Sequence, residues 1–322
     1  MRSGDRLAYQ DFPKKLAQKL KRIPHRGSGH PSLYDEVNAF SHMRQKVDGL
    51  FDGITSDDAK LAKIRSMPWP DRRYVLFFTP RSGSSWLGDL IEKTGHLGNP
   101  GEPFNPAIVP RIAIRLQATD MATYIDTLLR ARSKNGTFGC EITFRQIHNC
   151  FGDMGEMLRL LQPTAFLWLL REDLVAQAVS LSRRQQTQIA HSSISDEAAQ
   201  AGADSRFTYD RKAIRRSIDS LCWQEERMDE LFDTHGLEPF RLSYETATRS
   251  RERDLLVAIA QHIGVDLPET GDVEASLTKL KAGKATEFIQ RFKDENADYV
   301  AFINDRRAPR LARVNDIPAS DP

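Results

Sequence analysis

From Tyr74 onward, short apolar runs alternate with longer stretches whose apolar residues recur every three or four positions. The runs are YVLFF (74–78), TFGCEITF (137–144), AFLWLL (165–170) and PFRLSY (239–244). The stretches that follow them are SSWLGDLIEKTG (84–95), FGDMGEMLRLLQP (151–163), REDLVAQAVSLSRRQQTQ (171–188) and RERDLLVAIAQHIGV (251–265). A continuous apolar run bounded by turn residues suits a strand buried on both faces, and three-to-four spacing suits a helix with one apolar side. Their alternation predicts an α/β fold with a central parallel sheet between two helical layers. HSSISDEAAQAGADSR (191–206) has no such period and reads as a polar loop or lid.

The first 70 residues follow a different pattern. In DFPKKLAQKLKRIP (11–24), Phe12, Leu16, Leu20 and Ile23 form a narrow apolar stripe among Lys14, Lys15, Lys19, Lys21 and Arg22, and Pro24 ends the segment. This basic amphipathic helix has two readings: a weak contact with a membrane surface or acidic partner, or a helix packed on its own domain with a solvated basic face. The narrowness of the stripe favours the second. DDAKLAKIRSM (57–67) continues in helical style, and Pro68 and Pro70 close the region. The expected organisation is a helical N-terminal extension over 1–70 and one large domain over 71–322.

At 322 residues such a domain can bury a sizeable core. With 46 Lys and Arg against 44 Asp and Glu, the formal net charge is +2, so no global field marks a nucleic-acid partner and any basic site is local. Three cysteines, Cys140, Cys150 and Cys222, cannot all pair within one chain and lack CxxC spacing. They fit a reducing compartment as core thiols. No His/Cys/Asp set has the spacing of a metal site. The N-terminus lacks the apolar stretch of a signal peptide, and no window reaches the length of a membrane span, so a cytoplasmic protein is expected.

The first strand runs into TPRSGSSWL (79–87). A turn of this kind before a helix exposes unpaired backbone N–H groups at the positive end of the helix dipole. Arg81 adds a cation, Gly83 permits close backbone approach, and Ser82, Ser84 and Ser85 add hydroxyls. The pattern reads as a phosphate cradle. It is not the GxxxxGK[ST] loop of nucleoside triphosphate enzymes, because the basic residue precedes the glycine. The competing structural reading is a turn capped by Ser for stability alone. A second polar pattern lies on the helix after the third strand. There Asp173 can cap the start, while Gln177, Ser180, Arg183, Arg184 and Thr187 share one face, which a solvated surface would explain equally well in isolation.

FFTPRSGSSWL resembles the 5′-phosphosulfate loop of sulfotransferases that use 3′-phosphoadenosine 5′-phosphosulfate (PAPS). REDLVAQAVSLSRRQQT resembles a segment of the bacterial trehalose 2-sulfotransferase-like family, and TGHLGNPGEPF (94–104) resembles that family's TG-x-x-G-x-P-x-E-[FY]-F string without a gap. The resemblance implies a P-loop-like three-layer α/β/α fold. It implies that Arg81, Ser82, Gly83, Ser84 and Ser85 hold the phosphosulfate, that Trp86 lies against the adenine, and that Arg171 and Ser180 bind the 3′-phosphate. Glu102 falls on the catalytic base, with Arg81 stabilising charge on the leaving group. A shifted register would put Asn105 there but needs an insertion. Asn99 and Pro103 depart from the family string, and Glu141 stands where relatives tend to carry a basic residue. It could act as an acid or base, bind substrate, or belong to a structural ion pair. His148 and His191 are weighed as alternative bases and read as satisfied or surface histidines. Tyr244 and Glu245 read as structural, ordering the end of the fourth strand.

The expected function is sulfuryl transfer from PAPS, without a metal, to a hydroxyl of a carbohydrate, glycolipid or related small molecule, in an enzyme that the resemblance implies is a homodimer. The alternatives are a P-loop-type small-molecule kinase and a catalytically degenerate PAPS-binding protein. The first should show GK[ST] and an acidic residue where Arg171 follows the third strand.

Overall fold

The computed structural model describes residues 49–188, 202, 205–268 and 283–317. The basic helix expected over 11–24 and most of the polar stretch 191–206, His191 included, lie outside the described residues. The four expected strands form one parallel sheet: β1 (Arg72–Phe78), β2 (Thr137–Ile142), β3 (Ala165–Leu170) and β4 (Phe240–Ser243), in the order β2-β1-β3-β4. The helices in chain order are α1 (Asp58–Arg65), α2 (Ser84–Lys93), α3 (Val109–Leu116), α4 (Met121–Arg132), α5 (Met154–Leu161), α6 (Leu174–Thr187), α7 (Arg211–His235), α8 (Tyr244–Arg249), α9 (Glu252–Ile263), α10 (Lys284–Glu295) and α11 (Ala297–Leu311).

The side-chain alternation along each strand separates two cores. Val75 and Phe77 of β1 join Phe138, Cys140, Ile142 and Trp168 on one face, under α3, α4, α5 and the end of α7. Tyr74, Leu76 and Phe78 join Leu167, Leu169 and Leu242 on the other, under α2 and α9. This is the three-layer α/β/α arrangement, and coverage of both faces explains why the strands are mostly apolar, with Glu141 and Arg241 as buried exceptions. A third apolar cluster joins α6, α7, α10 and α11 through Val175, Ile218, Phe292 and Ile303. α1 packs on α4, with Arg65 bonded to Asp126 and Arg130 donating to the Met67 carbonyl. All three cysteines are buried and free. Among the described residues no helix is long and apolar enough to cross a membrane.

Strand order decides where a ligand can sit. The chain leaves β1 for its neighbour on one side, β2, then returns past β1 to β3 on the other side. Connections that diverge in this way open a crevice beyond the carboxyl ends of the two strands. The segments starting at Thr79 and at Arg171 both emerge there.

Candidate active site

Arg81 and Gly83 form the turn after β1 with positive φ angles of 69° and 100°. Gly83 is the N-cap of α2 and makes no side-chain capping bond, so the serines do not serve as the cap. A Cβ at Gly83 would lie 2.2 Å from Tyr244 Cδ2, and its φ is one that only glycine adopts without strain. The first-turn amides of α2 therefore lack a side-chain cap. Ser82 Oγ is buried and has no hydrogen-bond partner among the described residues. A buried orphan hydroxyl beside uncapped amides is costly unless something polar occupies the turn.

Arg81 Nε donates to Ser180 Oγ at 3.0 Å, and Arg171 Nη1 donates to the Arg81 carbonyl at 3.1 Å. Burial, and then the charges of Arg184, Arg171 and Arg183, lower the Arg81 pKa to about 10. So many guanidiniums close enough to disfavour one another make a site suited to an anion. The structure also separates the two readings of the α6 face. Gln177 is 0% exposed and donates to Thr79 Oγ1 and to the Pro80 carbonyl, both at 2.8 Å. Arg183 and Thr187 are buried as well. Gln177 and Ser180 thus meet the loop, and Arg184 alone of this face is exposed.

Arg171 has a built seat. Glu245 accepts the backbone N–H of Glu172 at 2.8 Å, and its Oε1 stands 3.7 Å from Arg171 Nε. The Arg171 guanidinium lies 5.1 Å from the centre of the Tyr244 ring, which meets Trp86 edge-on at 6.0 Å. Tyr244 and Glu245 thus order the β3–α6 junction as well as the end of β4. Arg307 of α11 is 0% exposed, forms a two-pronged pair with Glu225 at 2.8 and 2.9 Å, and donates to the Arg171 and Glu172 carbonyls at 2.6 and 2.9 Å. Asp173 caps α6 by accepting from the Ala176 amide, as expected. The sequence reading did not reach Arg307. Arg307 and Arg310 share a helical period with Glu225 and Asp229, but a pairing across 82 residues leaves no local signal.

Glu102 reaches the site from the edge of the sheet. Gly101 bridges to Cys140 and its carbonyl accepts from the Glu141 amide at 2.8 Å, which holds the loop beside β2. Glu102 Oε2 accepts from Asn105 Nδ2 and Gln146 Nε2, each at 3.2 Å. The two candidates of the alternative registers are therefore hydrogen-bonded neighbours. Glu141 is 3% exposed, and its Oε1 lies where a side chain at Gly88 of α2 would intrude, 2.7 Å from a Cβ there. Burial and the nearby Glu102 charge push its carboxyl up to about 8, against a hydrogen bond from Ser84. Glu141 consequently holds its proton at neutral pH. This places a neutral acid between Ser84 of the anion turn and Glu102. Asn99 points away, bonded to Glu92. His148 is occupied by the Gly152 carbonyl at 3.2 Å and by the Phe144 ring, and burial lowers its pKa.

The structure thus gathers Arg81, Ser82, Gly83, Ser84, Arg171 and Ser180 at the β1/β3 crevice, carries Ser85 and Trp86 on the first turn of α2, and sets Glu102 on the β2 side. Among the described residues no group of three or more His, Cys, Asp or Glu side chains could hold a metal ion. Residues 73–295 match the sequence profile of the family described as Stf0 sulphotransferase. Among solved structures, a sulfotransferase from Alicyclobacillus acidocaldarius is similar at 14% identity and a TM-score of 0.38, over 72% of this chain and 95% of that one, a likeness too distant to place residues by. No curated protein matches the chain in sequence.

Proposed function

The chain belongs to the Stf0 sulphotransferase family, and from that membership and the site geometry we propose that it moves the sulfuryl group of PAPS to a hydroxyl of a carbohydrate, glycolipid or related small molecule. The observation that carries the donor reading is the hydrogen-bonded junction of Arg81, Arg171 and Ser180 beside the uncapped start of α2, with the charges of Arg184 and Arg183 near enough to add to the lowering of the Arg81 pKa by burial. The α2 amides, Arg81 and the orphan Ser82 hydroxyl suit a phosphosulfate, with Ser84 and Ser85 beside them. Arg171 and Ser180 suit a second anion, the 3′-phosphate, and Trp86 supplies an aromatic face for the adenine.

In-line transfer breaks the bond between sulfur and the donor phosphate oxygen and forms one between sulfur and the acceptor oxygen. By analogy with phosphoryl transfer, such a step needs positioning and charge stabilisation above all. Glu102 takes the acceptor proton, and Asn105 and Gln146 hold its carboxylate in place. Arg81 and the loop amides stabilise the charge that builds on the leaving oxygen of 3′,5′-ADP. Glu141, with its pKa raised to about 8 by burial, adds little negative charge beside Glu102 at neutral pH.

Titration calorimetry tests the donor reading. Tight binding of 3′,5′-ADP without Mg²⁺, lost in Arg171→Ala, is the expected result, and a preference for ATP with Mg²⁺ overturns it.

A further inference from the structure

A cavity of about 340 Å³ opens beside the turn after β1, walled by Pro80 of that turn, Leu181 of α6, Arg145 of the short helical turn Phe144–Gln146 after β2, and Arg216, Ser220 and Gln224 of α7. Its position ties it to both halves of the reaction. Pro80 immediately precedes Arg81, and Leu181 follows Ser180. Arg145 adjoins Gln146, whose amide holds Glu102. The space therefore lies against the segments that carry the donor-side anion site and the proposed base, which is where an acceptor must enter.

The chemistry of the walls is specific. Arg145 is half-buried, and its one hydrogen bond among the described residues is a long one, 3.5 Å from Nη2 to Ser220 Oγ. Arg216 stands exposed on the adjoining α7 surface. Neither guanidinium has an ion-pair partner among the described residues, although Glu225, Glu226 and Asp229 of α7 neutralise Arg307 and Arg306 of α11 and Arg241 of β4. Gln224 is 4% exposed, and its amide nitrogen is used by Ser220, while Oε1 accepts nothing. A buried acceptor without a donor costs free energy that a ligand O–H would recover. Two uncompensated guanidiniums and an unfilled acceptor on one cavity ask for a molecule carrying both an anionic group and hydroxyls.

We propose that this cavity is the acceptor subsite and that Arg145 and Arg216 select an anionic polyol, a sugar bearing a carboxylate, phosphate or sulfate, over a neutral sugar. The inference rests on the sulfuryl-transfer reading above and narrows its acceptor class. Arg145 and Arg216 bind the anionic group, Gln224 Oε1 receives one hydroxyl, and this anchoring turns another hydroxyl toward Glu102.

The test separates an extract of the source cells on an anion exchanger into unretained and retained small molecules and incubates each with the enzyme and radiolabelled PAPS. Label is expected in products of the retained pool. Arg145→Gln and Arg216→Gln should each lower that labelling about tenfold or more, as expected for loss of one charge-assisted contact. Affinity for 3′,5′-ADP should not change in either variant. Arg216 is exposed, so its variant folds even if Arg145→Gln does not. Label confined to the unretained pool, unchanged labelling in Arg216→Gln, or no label in either pool despite tight 3′,5′-ADP binding overturns the subsite. Failure to bind 3′,5′-ADP overturns the donor reading instead.

Discussion

Replacing Glu141 by Gln isolates the cost of burying a carboxyl between α2 and the Glu102 loop. Glu141 is 3% exposed, and its pKa rises from an ordinary 4.5 to about 8. Between those values the unfolded chain has released a proton that the folded chain still holds. Because the native state then binds more protons, stability falls as pH rises. The slope is about 1.4 kcal/mol per pH unit, which amounts to roughly 3 kcal/mol by pH 7 and roughly 4–5 kcal/mol above pH 8. The substituted amide would keep the shape and the acceptor for Ser84 while releasing no proton in either state. Urea unfolding of wild type and Glu141→Gln, followed by circular dichroism at several values from about pH 5 to about pH 9, measures the difference directly. The two stabilities should lie closest at the acid end and separate with rising pH, the variant becoming the more stable. A difference that stays constant from about pH 5 to about pH 8 would show that Glu141 does not carry a raised pKa, and the account of a neutral acid beside Glu102 would fall with it.

Three further outcomes follow from the site. Glu102→Gln should lower kcat by roughly two to four powers of ten, the usual worth of a positioned base, and leave 3′,5′-ADP affinity unchanged; labelling from PAPS at the wild-type rate removes Glu102 from that role. Gly83→Ala meets the Tyr244 ring and a φ of 100°, so it should cost about 1–3 kcal/mol in chemical unfolding and abolish 3′,5′-ADP binding in calorimetry; a variant that binds normally refutes the tight-turn argument. Arg307→Met strips the buried Glu225 of its two-pronged partner, although Arg310 Nη1 still reaches Glu225 at 3.1 Å. It should destabilise by about 3–5 kcal/mol and weaken 3′,5′-ADP binding by loosening the Arg171 carbonyl; a change within about 1 kcal/mol would show that the pair is dispensable.

Much of the fold was legible because its signals are local. β1 from Tyr74 onward and β3 advertise themselves as unbroken apolar runs, β2 and β4 as runs interrupted by Glu141 and Arg241, and α2, α5, α6 and α9 carry apolar residues at helical spacing. α7 carries a helical signal too, with Asp210 at its start, Gly236 at its end, and Ile214, Ile218, Leu221 and Met228 between them. TPRSGSSWL sets Arg81, Gly83 and three serines together at a strand-to-helix turn, a signal contained within nine residues. The face of α6 was ambiguous, since Gln177, Arg183 and Thr187 look alike in sequence whether water or protein covers them.

The sequence by itself determined the α/β class, the order of the strands along the chain and the chemistry available at the turn after β1, because these depend on neighbours within a few residues. The tertiary structure decided which polar groups lost their water. It paired Arg307 with Glu225, left Ser82 Oγ and Gln224 Oε1 without partners, and closed α2 over Glu141 so that its proton stays on. Desolvation and charge proximity depend on segments far apart in the chain, so the state of those groups is set only when the sheet brings the segments together.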